Sequence, residues 1–182
     1  MAAGFLLAWP GTASAQGERV FLTAEQAFQE IFGDGVRVVT DHERLPAPIV
    51  QRIAEESGSD AVSPGAVTYR VYRGEDLAGY AMVLEERGKY RPITFMVGVD
   101  PDFAVEGVTV MVYREDRGDE VRHRRFLRQY QDKTIDDPIR THRDIVNITG
   151  ATISVTSMNV GVRRALATLQ AVYTGAVANT GR

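Results

Sequence analysis

Apolar residues recur along this chain with two different periods, and the changes of period divide it into predicted elements. Near the N-terminus, Thr23 and Gln26 have the spacing of a capping box. Apolar residues then recur at helical intervals as far as Phe32, and Gly33-Asp34-Gly35 ends the pattern. The elements predicted for this part of the chain are a helix over 24–32, a strand over 36–39 and a helix over 46–56.

From residue 67 the pattern changes to the alternation that is typical of half-buried strands. Apolar runs rich in valine are separated by short turns that contain glycine, aspartate or proline. The predicted strands are 67–72, 77–84, 93–99 and 105–113. Consecutive strands joined by short turns predict an antiparallel meander.

After these strands the chain returns to helical spacing. A helix is predicted from Asp119 to about Tyr130, with Val121, Phe126 and Leu127 on its buried face. A short strand over 145–148 and a last helix over 156–173 complete the predicted elements. The predicted fold is α+β, an antiparallel β-meander packed with helices in a single domain.

The ends of the chain differ from this globular middle. A short apolar run over 4–9 is followed by Ala13-Ser14-Ala15, which has the small-x-small pattern of a cleavage site. We therefore predict a signal peptide that ends near Ala15, with export to the periplasm or another extracytoplasmic compartment; the alternative is a buried N-terminal strand. The predicted divisions are the signal peptide 1–15, a helical and strand extension 16–64, the main domain 65–173 and a flexible tail 174–182.

Composition narrows the chemistry that the chain can perform. Its 182 residues carry a formal net charge of -3, which argues against bulk affinity for nucleic acid. The chain has no cysteine, so thiolate catalysis and iron–sulfur ligation by its own residues are excluded. The histidines His42, His123 and His142 do not have the spacing of metal ligands, and we predict no metal site.

The segment over 148–164 carries the most specific chemistry. Hydroxyl side chains alternate with small residues just before the last predicted helix. Small residues let backbone N–H groups approach a ligand closely, and the start of a helix favours negative charge, so the segment predicts a site for phosphate or another anion. The alternative is a hydroxyl-rich cap for the last helix. The candidate binding residues are Thr149, Gly150, Ala151, Thr152, Ile153, Ser154, Thr156 and Ser157.

The sequence Thr149-Gly150-Ala151-Thr152-Ile153-Ser154 also resembles the flavin-attachment motif of the FMN-binding domain family. That motif is Ser/Thr-Gly-Ala-Thr, followed by an aliphatic residue and Ser/Thr, and the family includes the flavin-carrying subunits of the Rnf and Nqr ion-pumping complexes. The resemblance extends over about residues 65–173. It implies FMN as the cofactor, with Thr152 carrying it through a phosphoester bond.

The resemblance also implies other contacts of the flavin. The Thr149 hydroxyl and the Gly150 N–H are implied as second contacts to the phosphate. The loop 114–118 stands where relatives carry a Glu-Thr-x-Gly turn near the flavin, which adds Glu115 and Gly118 to the expected site. The side chains expected against the isoalloxazine ring are Tyr90, Phe95 and Met96.

One position departs from the family pattern. The family carries an aspartate three residues before the first Ser/Thr of the motif, and Val146 stands there, with Asp144 and Asn147 nearby. This departure bears on recognition by a flavin transferase, so FMN binding follows more directly from the resemblance than covalent attachment does. Ser154, Thr156 or Ser157 could instead hold a noncovalent phosphate.

The function implied is electron transfer between membrane-bound redox proteins and an acceptor, without a catalytic residue of the chain's own. The alternatives are a noncatalytic flavin- or anion-binding accessory subunit and a flavin-dependent reductase. A basic cluster is predicted on one helix; a solvated face is its default interpretation, and docking to an acidic redox partner or to anionic membrane headgroups is the alternative. The cluster comprises Arg122, His123, Arg124, Arg125 and Arg128.

Overall fold

The computed structural model describes residues 18–60 and 62–175, which form one six-stranded sheet covered by helices. The predicted signal peptide lies outside the described residues, as does most of the predicted tail. The strands are β1 (Arg19–Val20), β2 (Arg37–Arg44), β3 (Gly65–Arg73), β4 (Asp76–Arg87), β5 (Pro92–Val99) and β6 (Val105–Tyr113). The helices are α1 (Ala24–Phe32), α2 (Ala47–Ser57), the single turn α3 (Arg124–Leu127) and α4 (Thr152–Tyr173).

Every neighbouring pair of strands in the sheet is antiparallel, in the order β1-β6-β5-β4-β3-β2. The strands from β3 to β6 therefore lie side by side in chain order, and the predicted meander is confirmed. β2 extends beyond the predicted 36–39 because its pairing with β3 continues through polar residues as far as Arg44. Backbone pairing does not require apolar side chains, so the hydrophobic pattern understated the length of this strand.

The two faces of the sheet bury separate sets of side chains. On β5, Phe95 packs in the cluster that contains α4, whereas its neighbour Met96 packs in the cluster that contains α1. Successive side chains of a strand point to opposite faces, and β5 is buried on both. The capping box of Thr23 and Gln26 starts α1 as predicted.

α4 is the helix that joins the sheet to the motif. Its predicted apolar face is buried through Met158, Val162 and Leu166. Below it, Arg164 lies 2.9 Å from Glu86 on β4, and burial raises the pKa of the Glu86 carboxyl while the arginine opposes that shift.

Among the described residues, no helix combines the length and the hydropathy that crossing a membrane requires.

Three predicted elements need correction. The predicted helix over 119–130 is broken into short turns, because His123 is extended at φ -68° and ψ 133°. The predicted strand over 145–148 is absent from the described residues, where Ile145 makes a single bridge to Thr141. The last helix begins at Thr152 and not at 156.

A polar network fixes the C-terminal end of α4 on the sheet. The Asp41 carboxylate on β2 accepts two hydrogen bonds of 2.8 Å from Arg70 on β3 and one of 2.9 Å from the Tyr173 hydroxyl of α4. The hydrogen bonds from Arg70 hold the pKa of Asp41 below its ordinary value, against the opposing effect of burial. This network ties the far end of α4 to two strands.

We expect Asp41→Asn to lower the free energy of unfolding at pH 7 by about 1–2 kcal/mol, because a charged acceptor of three hydrogen bonds is lost at a partly exposed site. A depressed carboxyl pKa contributes stability above the unfolded-state pKa, near 3.9, and that contribution disappears as the pH falls through the folded-state pKa. The difference in the free energy of unfolding between wild type and variant should therefore become smaller as the pH falls toward about 2. Urea unfolding at both pH values measures it, and a pH-independent difference would contradict this account.

Candidate functional site

The motif forms a tight turn that leads directly into α4. Gly150 has φ +87°, a conformation that favours glycine, and the Ala151 N–H donates to the Ile148 carbonyl at 3.0 Å. Among the described residues, no side chain caps the helix that follows. Since the first N–H groups of a helix have no partner within the helix and carry partial positive charge, this end of α4 offers donors to an anion.

Thr152 is the first residue of α4, and its side chain is exposed. The side-chain N–H of Asn147 donates to Thr152 Oγ1 at 2.9 Å. Thr149, Gly150 and Ile153 are exposed around it. The structure therefore brings these four motif residues to one surface at the start of the helix, with the Thr152 hydroxyl accessible to a ligand.

The hydroxyls of the other three motif residues make hydrogen bonds within the protein. Ser154 is buried, with its Oγ 3.0 Å from the Tyr113 hydroxyl. Thr156 Oγ1 donates to the Thr152 carbonyl at 2.9 Å, and Ser157 Oγ lies 2.6 Å from the Arg87 carbonyl and 2.9 Å from that of Ile153. Thr156 and Ser157 bond to helix carbonyls because α4 begins four residues early, and Ser154 bonds to Tyr113. A contact of these residues with a phosphate stays a prediction.

The loop between β6 and α3 supports the motif from inside. The Glu115 carboxylate is buried and accepts the backbone N–H groups of Tyr90 and Arg91, at 3.0 Å for Arg91. The Tyr113 hydroxyl donates to the Arg117 carbonyl at 2.6 Å and so leaves Ser154 to donate to it. The resemblance placed Glu115 and Gly118 near the flavin. The Glu115 carboxylate points into the protein, where its hydrogen bonds hold the β4–β5 turn beside the site.

Gly118 lies against the hydrogen-bonded hydroxyls of Tyr113 and Ser154, with no room for a side chain. It has φ +89°, and a Cβ added there would lie 2.7 Å from the Tyr113 hydroxyl and 3.1 Å from Ser154 Oγ. We expect Gly118→Ala to lower the free energy of unfolding by about 2–3 kcal/mol, the sum of backbone strain and displaced hydrogen-bonded groups.

The matched control for that variant is Gly150→Ala. Gly150 has nearly the same φ, +87°, but no atom of the residues that the structure describes lies within 4 Å of its added Cβ, so only the backbone strain of about 1 kcal/mol should appear. Chemical denaturation of both variants measures the difference. Equal losses of stability would show that the crowding around Gly118 is unimportant.

The side chains expected against the isoalloxazine ring divide into one accessible residue and two buried ones. Phe95 and Met96 are fully buried on opposite faces of the sheet, so their assignment as ring contacts was wrong. Tyr90 is 74% exposed at the β4–β5 turn, and Val146 and Ile153 are 74% and 49% exposed. Exposed apolar side chains beside an anion site provide a surface for a flat aromatic ligand.

Comparison with known proteins decides the class of this site. The family model described as the FMN-binding domain matches residues 88–167, a range that includes β5, β6, the supporting loop and Thr152. Residues 88–167 are an FMN-binding domain. Its cofactor is FMN, as the sequence resemblance implied.

A solved structure extends the comparison to the fold around the FMN-binding domain. The crystal structure of NqrC from Shewanella oneidensis aligns with a TM-score of 0.52 and 18% sequence identity, covering 75% of this chain and 80% of that chain. At this identity the likeness concerns the fold, and it confirms the α+β prediction. No curated protein matches the chain.

The start of α4 fits FMN on two observations, of which the first concerns the phosphate. The uncapped helix leaves N–H donors without a side-chain partner, and the turn at Gly150 has open space beside it. In addition, the Asn147 Oδ1 atom next to Thr152 is buried and has no hydrogen-bond partner within the described residues. This oxygen accepts hydrogen bonds, so it suits a hydroxyl donor of a ligand and not a phosphate oxygen.

The basic cluster lies next to the FMN-binding motif but not on one helix, which corrects the prediction. Arg122 pairs with Asp119 at 3.5 Å and lies over the Phe21 ring. Gln129, just after the cluster, accepts the Val146 N–H at 2.7 Å. That bond places the exposed residues of the segment beside the loop that leads into the motif. These exposed residues are Arg122, His123, Arg124, Arg125 and Arg128.

Proposed function

We propose that this protein is an electron carrier whose FMN is linked through a phosphoester to Thr152. The observation that carries the proposal is the exposed Thr152 hydroxyl at the uncapped start of α4, inside an FMN-binding domain. A hydroxyl at that place is accessible for bond formation. The phosphate so attached would be adjacent to the positive end of the helix dipole.

The chain's own residues bind and orient the cofactor. Helix N–H groups stabilise the phosphate, and Tyr90 and Ile153 offer exposed apolar surface for the ring. The bound flavin supplies the redox chemistry. Glu115 and Asp116 do not form a pair of catalytic carboxylates, because Glu115 is buried and held by backbone N–H groups while Asp116 is exposed. This arrangement favours a carrier over a flavin-dependent reductase.

The partners in this proposal are membrane-bound redox proteins, a flavin transferase that attaches the FMN, and an acceptor outside the cytoplasm. Two features support that assignment: the fold shared with NqrC and the signal-peptide pattern of residues 1–15. The exposed arginines Arg124, Arg125 and Arg128 supply positive charge beside the flavin site, for acidic residues of a redox partner or for anionic headgroups next to it.

The second candidate function is a noncatalytic accessory subunit that binds flavin or an anion. The observation that favours it is Val146, which replaces the aspartate of the family motif and has an exposed side chain. An exposed apolar residue in that position alters the surface that a flavin transferase would meet.

The experiment that tests the proposed function follows electrons through the purified protein. The full chain is exported from a host that has a flavin transferase, and its visible absorbance is recorded during anaerobic reduction and reoxidation by an added acceptor. A carrier should show about one flavin per chain that cycles completely between oxidised and reduced forms. Colourless protein of unmodified mass, even after incubation with FMN, would contradict the carrier and leave the accessory subunit.

A further inference from the structure

The Asn147 side chain is the polar group that holds Thr152. Its Nδ2 lies 2.9 Å from Thr152 Oγ1 and donates to it. Its Oδ1 is buried and has no hydrogen-bond partner in the described part of the chain. The orientation of the amide is therefore not set by its oxygen. Within the described residues, the hydrogen bond to Thr152 therefore accounts for the orientation of this side chain.

The direction of this hydrogen bond determines what the Thr152 hydroxyl can still do. An amide N–H takes one lone pair of Oγ1 and leaves the hydroxyl proton and the second lone pair unused. Threonine in a helix has two common side-chain rotamers, because its hydroxyl can bond to a preceding carbonyl. The Thr156 hydroxyl makes such a bond here. Asn147 instead fixes the rotamer of Thr152 while keeping its hydroxyl accessible.

Neighbouring side chains on the same loop cannot perform this task. Val146 is apolar and exposed. The Asp144 carboxylate accepts the backbone N–H groups of Ile139 and Arg140 at 3.0 and 2.9 Å and pairs with Lys133 at 2.9 Å. Both of its oxygen atoms are occupied away from Thr152.

We propose that Asn147 is a positioning residue for the attachment of the flavin phosphate to Thr152, an inference that rests on the proposed function. In that step a bond forms between Thr152 Oγ1 and phosphorus. A phosphoanhydride bond of the flavin donor, a flavin dinucleotide, breaks, and its leaving phosphate oxygen takes the electron pair. The Oγ1 proton passes to a base of the transferase. Asn147 holds Oγ1 so that its free lone pair meets the phosphorus.

The test is a kinetic assay with the full chain, purified flavin transferase and excess flavin dinucleotide. Covalent flavin is measured by intact mass at increasing concentrations of the chain, for wild type and for Asn147→Leu. A misplaced nucleophile reacts more slowly without binding more weakly, so the variant should lose at least about 10-fold in kcat with an unchanged KM for the chain. A lower kcat at constant KM is not expected from a loop that has merely lost order.

The matched control is Gln129→Leu. Gln129 is another amide that anchors the same loop, through the Val146 N–H and carbonyl at 2.7 and 3.5 Å, without touching Thr152. Its kcat should stay within about 3-fold of wild type, since Oγ1 keeps its orientation. Circular dichroism and the Tm of both variants verify that they fold.

The possible outcomes separate this inference from the function on which it rests. If the wild-type chain acquires no covalent flavin, the proposed linkage to Thr152 is wrong. If the wild type is modified and Asn147→Leu has the same kcat, the positioning role is overturned. Equal losses in Asn147→Leu and Gln129→Leu would also overturn it, because anchoring of the loop would then explain both.

Discussion

Gly161→Val is expected to lower the free energy of unfolding by about 3 kcal/mol or more, because the helix and the sheet are too close at this position for any side chain. A Cβ on Gly161 would clash with Phe95 Cζ and would lie 2.8 Å from Glu86 Cγ. Phe95 is fully buried, and Glu86 pairs with Arg164 beneath the helix, so neither can move aside. α4 would have to lift from the sheet.

Displacement of α4 would also move the candidate site, because Thr152 is the first residue of this helix. Urea unfolding measures the loss of stability, and Gly65→Val on β3 is the control. The nearest atom to an added Cβ at Gly65 is Ser63 Oγ at 3.9 Å, so this strand position should change by less than about 1 kcal/mol. A Gly161→Val protein as stable as the control would mean that the helix does not pack this closely.

Thr152→Ala is expected to abolish covalent flavin completely while leaving the fold intact. The side chain is exposed and accepts a hydrogen bond from Asn147, so its removal should cost no more than about 1 kcal/mol of stability. The chemical loss is absolute, because alanine has no oxygen atom to bond to phosphorus. Intact mass and absorbance after denaturation measure the bound flavin.

Thr152→Ser is the control for the missing hydroxyl. Serine keeps the oxygen atom and the hydrogen bond from Asn147, so it should retain flavin attachment where alanine loses it. Flavin retained by Thr152→Ala after denaturation would place the bond on another residue. The hydroxyls of Ser154, Thr156 and Ser157 are the nearest alternatives along the helix, and each is bonded within the protein.

The elements that sequence could predict are those fixed by local pattern. Alternating apolar residues and short turns located β3 to β6, and the spacing of Thr23 and Gln26 located the start of α1. The binding motif was also local, because small residues and hydroxyls at the start of a helix follow each other in the chain. These signals depend on neighbours in sequence.

The remainder depended on contacts that sequence spacing does not encode. Ser154 reads as a ligand contact until the fold places it against Tyr113, 41 residues away. The early start of α4 turned Thr156 and Ser157 back onto helix carbonyls, and hydroxyl residues alone do not mark where a helix begins. Phe95 and Met96 could be recognised as core only once both faces of β5 were known to be covered.

Fragmentation mass spectrometry of the tryptic peptide 144–163, which contains every hydroxyl residue of the motif, shows directly whether Thr152 carries the flavin. The peptide should come from the full chain exported by a host with a flavin transferase. We expect one added mass, that of FMN less water, located on Thr152. An unmodified peptide from fully exported protein, or an added mass on another residue, would contradict the claim that Thr152 carries the flavin.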